Sequence, residues 1–166
     1  MTERCVNGNG EPRLSDETSG IGFPPPLIFA ATLAAGLLAG RDAALDARTA
    51  GYARNAGTLS LLAGGAACAA SLYGLRRAGS SFSVFVPTKA LVTGGIFRFS
   101  RNPIYFGLTA AYLGIALRAR SIPALALLPI ALALTDRLVV DPEERYLERR
   151  FGDDYRTYRN AVPRWF

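Results

Sequence analysis

The longest runs without a charged side chain constrain this chain more than any other feature. Thr18–Gly40 is uncharged for 23 residues and Asn55–Leu75 for 21. At 1.5 Å of rise per residue, either run as a helix can cross the roughly 30 Å hydrocarbon core of a bilayer. Two shorter runs follow, Asn102–Leu117 with 16 residues and Ser121–Thr135 with 15. They reach span length if the flanking Arg101, Arg118, Arg120 and Arg137 snorkel their guanidinium groups to the interface. The alternative is a pair of buried helices in a soluble bundle. Such helices keep a polar face, yet Leu27–Gly40 has only Thr32 and Ile122–Leu134 has no polar side chain at all. The expected fold class is an all-α integral membrane protein with about four transmembrane helices and a C-terminal interfacial helical segment. The spans fall at about 24–40, 57–75, 103–118 and 122–140, inside one domain over 23–166.

The charges themselves orient these spans. The N-terminal tail holds two Lys or Arg, the second connection five and the C-terminal tail seven, against three and two in the first and third connections. Fourteen on one side against five on the other puts both termini and the long connection 76–102 in the cytoplasm, here of a bacterial plasma membrane. The net charge of +6 therefore lies in clusters that flank a membrane, not on one continuous basic face, and nucleic acid is excluded as a partner. Membrane lipids are the expected surroundings; the oligomeric state is left open.

Residues 1–22 are polar, with two basic and four acidic side chains. That is a poor start for a cleaved signal peptide, so a disordered tail followed by an uncleaved first span is expected. Gly36 and Gly40 form a GxxxG, and Gly64, Gly65, Ala69 and Ala70 give the second span small residues for close helix packing. The chain has no histidine, which removes His-dependent triads, His-ligated metals and an imidazole base. No metal site is expected. The two cysteines, Cys5 in the tail and Cys68 among small residues, suggest neither a disulfide scaffold nor redox chemistry.

Chemistry concentrates at two places. The connection 76–102 carries five basic residues and no acid, and no carboxylate occurs between Asp46 and Asp136. It ends in Ser100-Arg101-Asn102-Pro103-Ile104-Tyr105, where Asn102 is a favoured N-cap and Pro103 a favoured first helical residue. The free N–H groups of that helix, beside Arg98 and Arg101, suit a carboxylate or phosphate at the membrane surface. A basic loop that only touches anionic headgroups is the simpler alternative. The second place is Asp141-Pro142-Glu143-Glu144, read as a new capped helix whose acids complement its dipole, with Gly152 as its C-cap and a further helix over Asp153–Ala161. Phe151, Tyr155, Tyr158 and Val162 recur at helical spacing, as in an interfacial helix docked on a bundle. Asp136 and Arg137, at the membrane edge, default to a functional or paired role.

Taken in order, these segments are familiar. Leu91-Val92-Thr93-Gly94-Gly95-Ile96-Phe97, then Arg101-Asn102-Pro103-Ile104-Tyr105, then Glu143-Glu144 with Leu147, Phe151-Gly152, Tyr155 and Tyr158, and finally Val162-Pro163-Arg164, resemble the isoprenylcysteine carboxyl methyltransferase family, related to membrane phospholipid methyltransferases. The resemblance covers roughly residues 82–166. It implies a membrane enzyme that moves a methyl group from S-adenosyl-L-methionine to a lipophilic small-molecule or prenylated substrate. The cofactor contacts it implies are Leu91, Val92, Thr93, Gly94, Phe97, Arg101, Asn102, Pro103, Ile104, Tyr105, Glu143 and Glu144. Arg137 and Tyr105 are the candidate acceptor contacts. Eukaryotic members have His at Asn102 and Tyr at Phe97, and their arginine for the substrate carboxylate has no clean match here, Arg137 being nearest.

The chemistry of the residues is compatible. A basic turn suits the cofactor's carboxylate, a glutamate its cationic end, and Phe97 or Tyr105 its adenine or sulfonium. A carboxylate or thiolate acceptor needs little help from a base near neutral pH, whereas an ammonium must first lose a proton. Carboxylate or thiol acceptors therefore rank above phosphatidylethanolamine. A non-catalytic module binding lipid or a partner remains the rival from another class.

Overall fold

The computed structural model describes residues 24–40, 49–79 and 90–165. The tail 1–22 with Cys5, the first connection with Arg41 and Arg48, and the stretch 80–89 with Phe82, Phe85, Pro87 and Lys89 lie outside the described residues. Every regular element among the described residues is helical. Helix α1 is Pro25–Ala39, α2 Ala50–Arg77, α3 Pro103–Arg118, α4 Ile122–Thr135, α5 Asp141–Phe151 and α6 Asp153–Ala161. A 3₁₀ turn, Gly95–Arg98, precedes α3.

Two of these helical stretches are long and apolar enough to cross a membrane: α2, and the unbroken 30-residue stretch Ile122–Phe151 that joins α4 to α5. Helices α1 and α3, at 15 and 16 residues, are shorter. Only 17% and 22% of the most apolar windows of the two long stretches is buried inside the protein. Leu59, Leu62, Ile130 and Leu134 point outward instead. A core helix of a soluble protein would bury these side chains; hydrocarbon solvates them without the cost that water imposes.

Helix α2 begins at Ala50, ahead of the span expected from 57, and ends at Arg77. Its first turns are alanine-rich and good helix formers. The added turns hold Arg54, whose carbonyl accepts from Thr58 Oγ1, while Arg118 Nη1 donates to the same hydroxyl at 2.6 Å. Arginines thus gather at one end of the α2–α3 pair.

That pair is antiparallel and close because it lacks side chains at the crossing. A Cβ on Gly64 would lie 2.6 Å from the Gly107 carbonyl oxygen, and one on Gly57 2.7 Å from that of Gly114. The glycines repeat at seven-residue spacing on both helices, so the backbones touch along a seam. Gly36 of the GxxxG brings α1 against the backbone of Ala124 in α4. There the Ser121 hydroxyl donates to the Gly36 carbonyl at 3.0 Å, and Tyr112 donates to the Ala124 carbonyl at 2.9 Å.

The junction at Asp141 departs from the sequence expectation. No capped break occurs; the chain passes from α4 through a π-helical turn, Asp136–Val140, straight into α5. The physical reason is Pro142, which lacks an N–H and whose ring would collide with the carbonyl one turn back. One wider turn admits the proline without ending the helix. The chain does stop at Gly152, whose φ of +54° is a conformation that glycine adopts without a Cβ clash.

Candidate functional site

Three segments distant in sequence meet at one end of the bundle: residues 90–102, the first turns of α5, and residues 162–165. Backbone and side-chain hydrogen bonds tie them. The Arg101 N–H donates to the Pro163 carbonyl at 3.0 Å. Ser100 Oγ and Asn102 Nδ2 both donate to the Arg164 carbonyl, at 3.2 and 3.1 Å. Asn102 occupies the N-cap position of α3, but its side chain makes no capping bond because the chain terminus claims it. Tyr158 of α6 donates to the Phe97 carbonyl at 2.7 Å, holding the 3₁₀ turn.

Charge then converges on Glu144, a buried carboxylate. Arg101 Nη1 lies 2.9 Å from Glu144 Oε1, both side chains 11% exposed. Arg164 Nη2 lies 2.7 Å from Glu144 Oε2 and Arg164 Nη1 reaches Asp141 at 3.0 Å and Asp136 at 3.2 Å. A buried pair of this sort contributes little net stability, yet removing one partner costs about 3–5 kcal/mol, so its members are tightly interdependent. Beside it, the Tyr105 hydroxyl donates to Glu143 Oε2 at 2.9 Å.

These residues wall a cavity enclosing about 710 Å³ of empty space, its open mouth included. Leu75 of α2 and Ala90, Leu91, Val92 and Phe97 supply an apolar side. Arg101 to Tyr105 bring in the first turn of α3, and Glu143, Leu147 and Tyr158 close the third side. Of the residues singled out from the sequence, Leu91, Val92, Phe97, Arg101, Asn102, Pro103, Ile104, Tyr105 and Glu143 face this space. Thr93 and Gly94 are exposed and outside its lining, and Glu144 sits behind Arg101. Arg98 turns outward over the Phe99 ring, 6.0 Å from its centroid. Arg137 is exposed and lines neither this cavity nor the one described next.

Sequence reasoning missed Leu75, Ala90, Leu147 and Tyr158. Tyr158 carried a signal, its place in the stripe with Phe151, Tyr155 and Val162. That stripe packs with Leu91 and Leu147 and so builds the wall instead of merely docking a helix.

A second, almost wholly apolar and more open cavity, about 730 Å³ of empty space with its mouth included, lies between α3 and α4, lined by Phe106, Thr109, Leu132, Ala133, Asp136 and Trp165. Tyr105 of the first cavity is clustered with Val139 and Val140, and Trp165 of the second packs against that cluster. One packed layer therefore separates the two spaces.

The titratable groups outside the apolar stretches follow from these surroundings. Burial, then the Glu144 charge, pushes Tyr155 up to about 12 against the opposing pull of Arg101. Tyr158 also rises to about 12, chiefly through burial. Both phenols stay protonated at neutral pH; Tyr158 donates to the Phe97 carbonyl, while Tyr155 accepts from Arg101 Nη1.

Residues 53–154 match the family described as phospholipid methyltransferase. The chain belongs to that family. As a member of the phospholipid methyltransferase family it is also similar to the protein-S-isoprenylcysteine O-methyltransferase of Schizosaccharomyces pombe, with 35% identity over 92 residues. That match takes in 52% of this chain and 39% of the yeast protein, so the matched stretch spans about two fifths of that relative's length. No solved structure matches this family member.

Proposed function

We propose that this chain is an integral membrane methyltransferase that binds S-adenosyl-L-methionine in the more polar of the two cavities and methylates a lipophilic acceptor. The observation that carries this reading is the juxtaposition of cation and anion donors across one space. Arg101 has a buried Nε without a hydrogen-bond partner among the described residues, and the first turn of α3 leaves N–H groups free of helical partners. A ligand carboxylate answers both. Glu143 answers an ammonium or sulfonium, and Phe97 and Tyr158 offer flat faces for an adenine. Bound there, S-adenosyl-L-methionine supplies a methyl group already activated on a sulfonium.

The protein's own part is to align and to exclude water. Methyl transfer is an in-line displacement, for which good orientation is worth roughly 7–11 kcal/mol. The apolar second cavity between α3 and α4 supports a lateral route by which an acceptor reaches the methyl group without leaving the bilayer. Phe106 is on its wall; Tyr105 and Trp165 stand between it and the first space. In this reading α1 and α3 complete a four-span bundle with both termini cytoplasmic. The 15 and 16 residues of these two helices span by snorkelling of flanking arginines.

The acceptor we favour is a lipophilic carboxylate or thiol, because the chain has no histidine and the bases near the cavities are carboxylates and tyrosines. The name of the yeast relative, a prenylcysteine O-methyltransferase, points the same way. Phosphatidylethanolamine is the second reading, favoured by the description of the matched family. Purified protein in detergent, given methyl-labelled cofactor and a panel of prenylated cysteines, lipid thiols and phospholipids, should label a carboxylate or thiol. Label in phosphatidylethanolamine reverses the choice of acceptor. Neither transfer nor cofactor binding would leave a non-catalytic lipid-binding module.

A further inference from the structure

We propose that Arg164 is a positioning residue for the cavity, acting through Glu144 on Arg101; this rests on the cavity being the cofactor's site. Arg164 lines neither cavity, yet its guanidinium grips both oxygens of Glu144, Nη2 to Oε2 at 2.7 Å and Nε to Oε1 at 3.2 Å. The oxygen Oε1 is also the one that Arg101 meets at 2.9 Å. The terminal torsion of a glutamate is soft and roughly two-fold, so a carboxylate held from one side alone can turn. The planar fork of Arg164 fixes its plane, and with it the direction in which Arg101 is drawn.

Charge balance leads to the same conclusion. Asp136, Asp141 and Glu144 all share Arg164. Without it, Glu144 keeps Arg101 as its sole basic partner among the described ion pairs, and Asp136 and Asp141 keep none. Arg101 is then pulled toward the carboxylates and away from the cavity it lines.

The side chain and the backbone of this residue do separate jobs, which makes the proposal testable. The chain terminus is docked by the Pro163 and Arg164 carbonyls, which accept from Arg101 N–H, Ser100 and Asn102 whatever side chain follows. The next residue, Trp165, is the chain's single tryptophan and packs against the Tyr105 cluster. Its fluorescence reports whether the terminus stays docked.

The experiment measures the dissociation constant of S-adenosyl-L-methionine for the full chain in detergent, together with Trp165 emission. Arg164→Met should weaken binding at least tenfold with Trp165 emission unchanged, and Arg164→Lys, which restores charge without the fork, should recover only part. Combining Arg164→Met with Glu144→Gln should cost no more than the larger single loss, because both act through one contact. Asp141→Asn, which touches Arg164 but not Arg101, should change affinity less than twofold. Unchanged affinity in Arg164→Met overturns the proposal, and so does a red shift of Trp165 accompanying the loss, since undocking of the terminus would then explain it. If Arg164→Met yields no folded protein, the same measurements on Arg164→Lys decide: wild-type affinity there overturns the proposal. A wild-type chain that does not bind the cofactor refutes instead the reading of the cavity.

Discussion

The α2–α3 seam and the charged junction around Glu144 are held by opposite means. The seam is built from what is missing: Gly57, Gly64, Gly107 and Gly114 let two backbones meet, and charge enters only at its end, where Arg118 donates to Thr58. The junction is built from what is added, with two arginines and three carboxylates pulling together segments distant in sequence. In hydrocarbon, apolar burial gives helices no reason to associate, so shape carries the association. Where the chain emerges, fixed partners in a drier environment hold charge that water would otherwise disperse.

The sharpest way to break the seam is one extra side chain. Gly64→Val puts a Cβ against the α3 backbone, and thermal unfolding in detergent should show a loss of several kcal/mol or no folded protein. Its neighbour Gly65 has nothing within 4 Å of an added Cβ, so Gly65→Val should be near neutral. Equal effects at the two positions would dissolve the seam as described.

The junction should fail differently, in ligand affinity ahead of fold. Glu144→Gln should lower cofactor affinity at least tenfold, measured by equilibrium binding, because Arg101 loses its buried partner. Tyr158→Phe removes the hydroxyl that holds the Phe97 carbonyl; at about 1 kcal/mol for such a bond, binding should weaken about fivefold. Arg137→Met should have the smallest effect, a few-fold rise in the acceptor's Michaelis constant with cofactor affinity unchanged. A drop in cofactor affinity there would place Arg137 in the junction, although it is exposed.

How far each region could be read beforehand follows the same division. Gly36 and Gly64 spoke locally, and so did Asn102-Pro103 at the start of α3 and Gly152 at the end of α5, because sterics and backbone conformation act within a turn or two; Gly65, Ala69 and Ala70, expected to pack as closely, are exposed. The π turn at Asp136–Val140 was hidden because Asp141-Pro142 reads equally well as a fresh helix start. Arg164 was visible as part of a motif but not as the countercharge of Asp136, Asp141 and Glu144, since that role exists only once the terminus folds back. Tyr158 shows both sides: its spacing marked a buried face, while the cavity on the far side of that face was beyond any periodicity.

The central claim is that Arg101 and Glu143 face each other across a space that takes a ligand with a carboxylate at one end and a positive charge at the other. Titrating S-adenosyl-L-methionine binding against pH tests it most directly. Glu143 lines that space, and its charged form is the one that attracts a cation. Affinity should therefore rise with pH as this carboxyl ionises, and Glu143→Gln should bind more weakly and lose the dependence. Wild-type binding that is pH-independent across the acidic range, or a Glu143→Gln variant with the wild-type profile, would contradict the account.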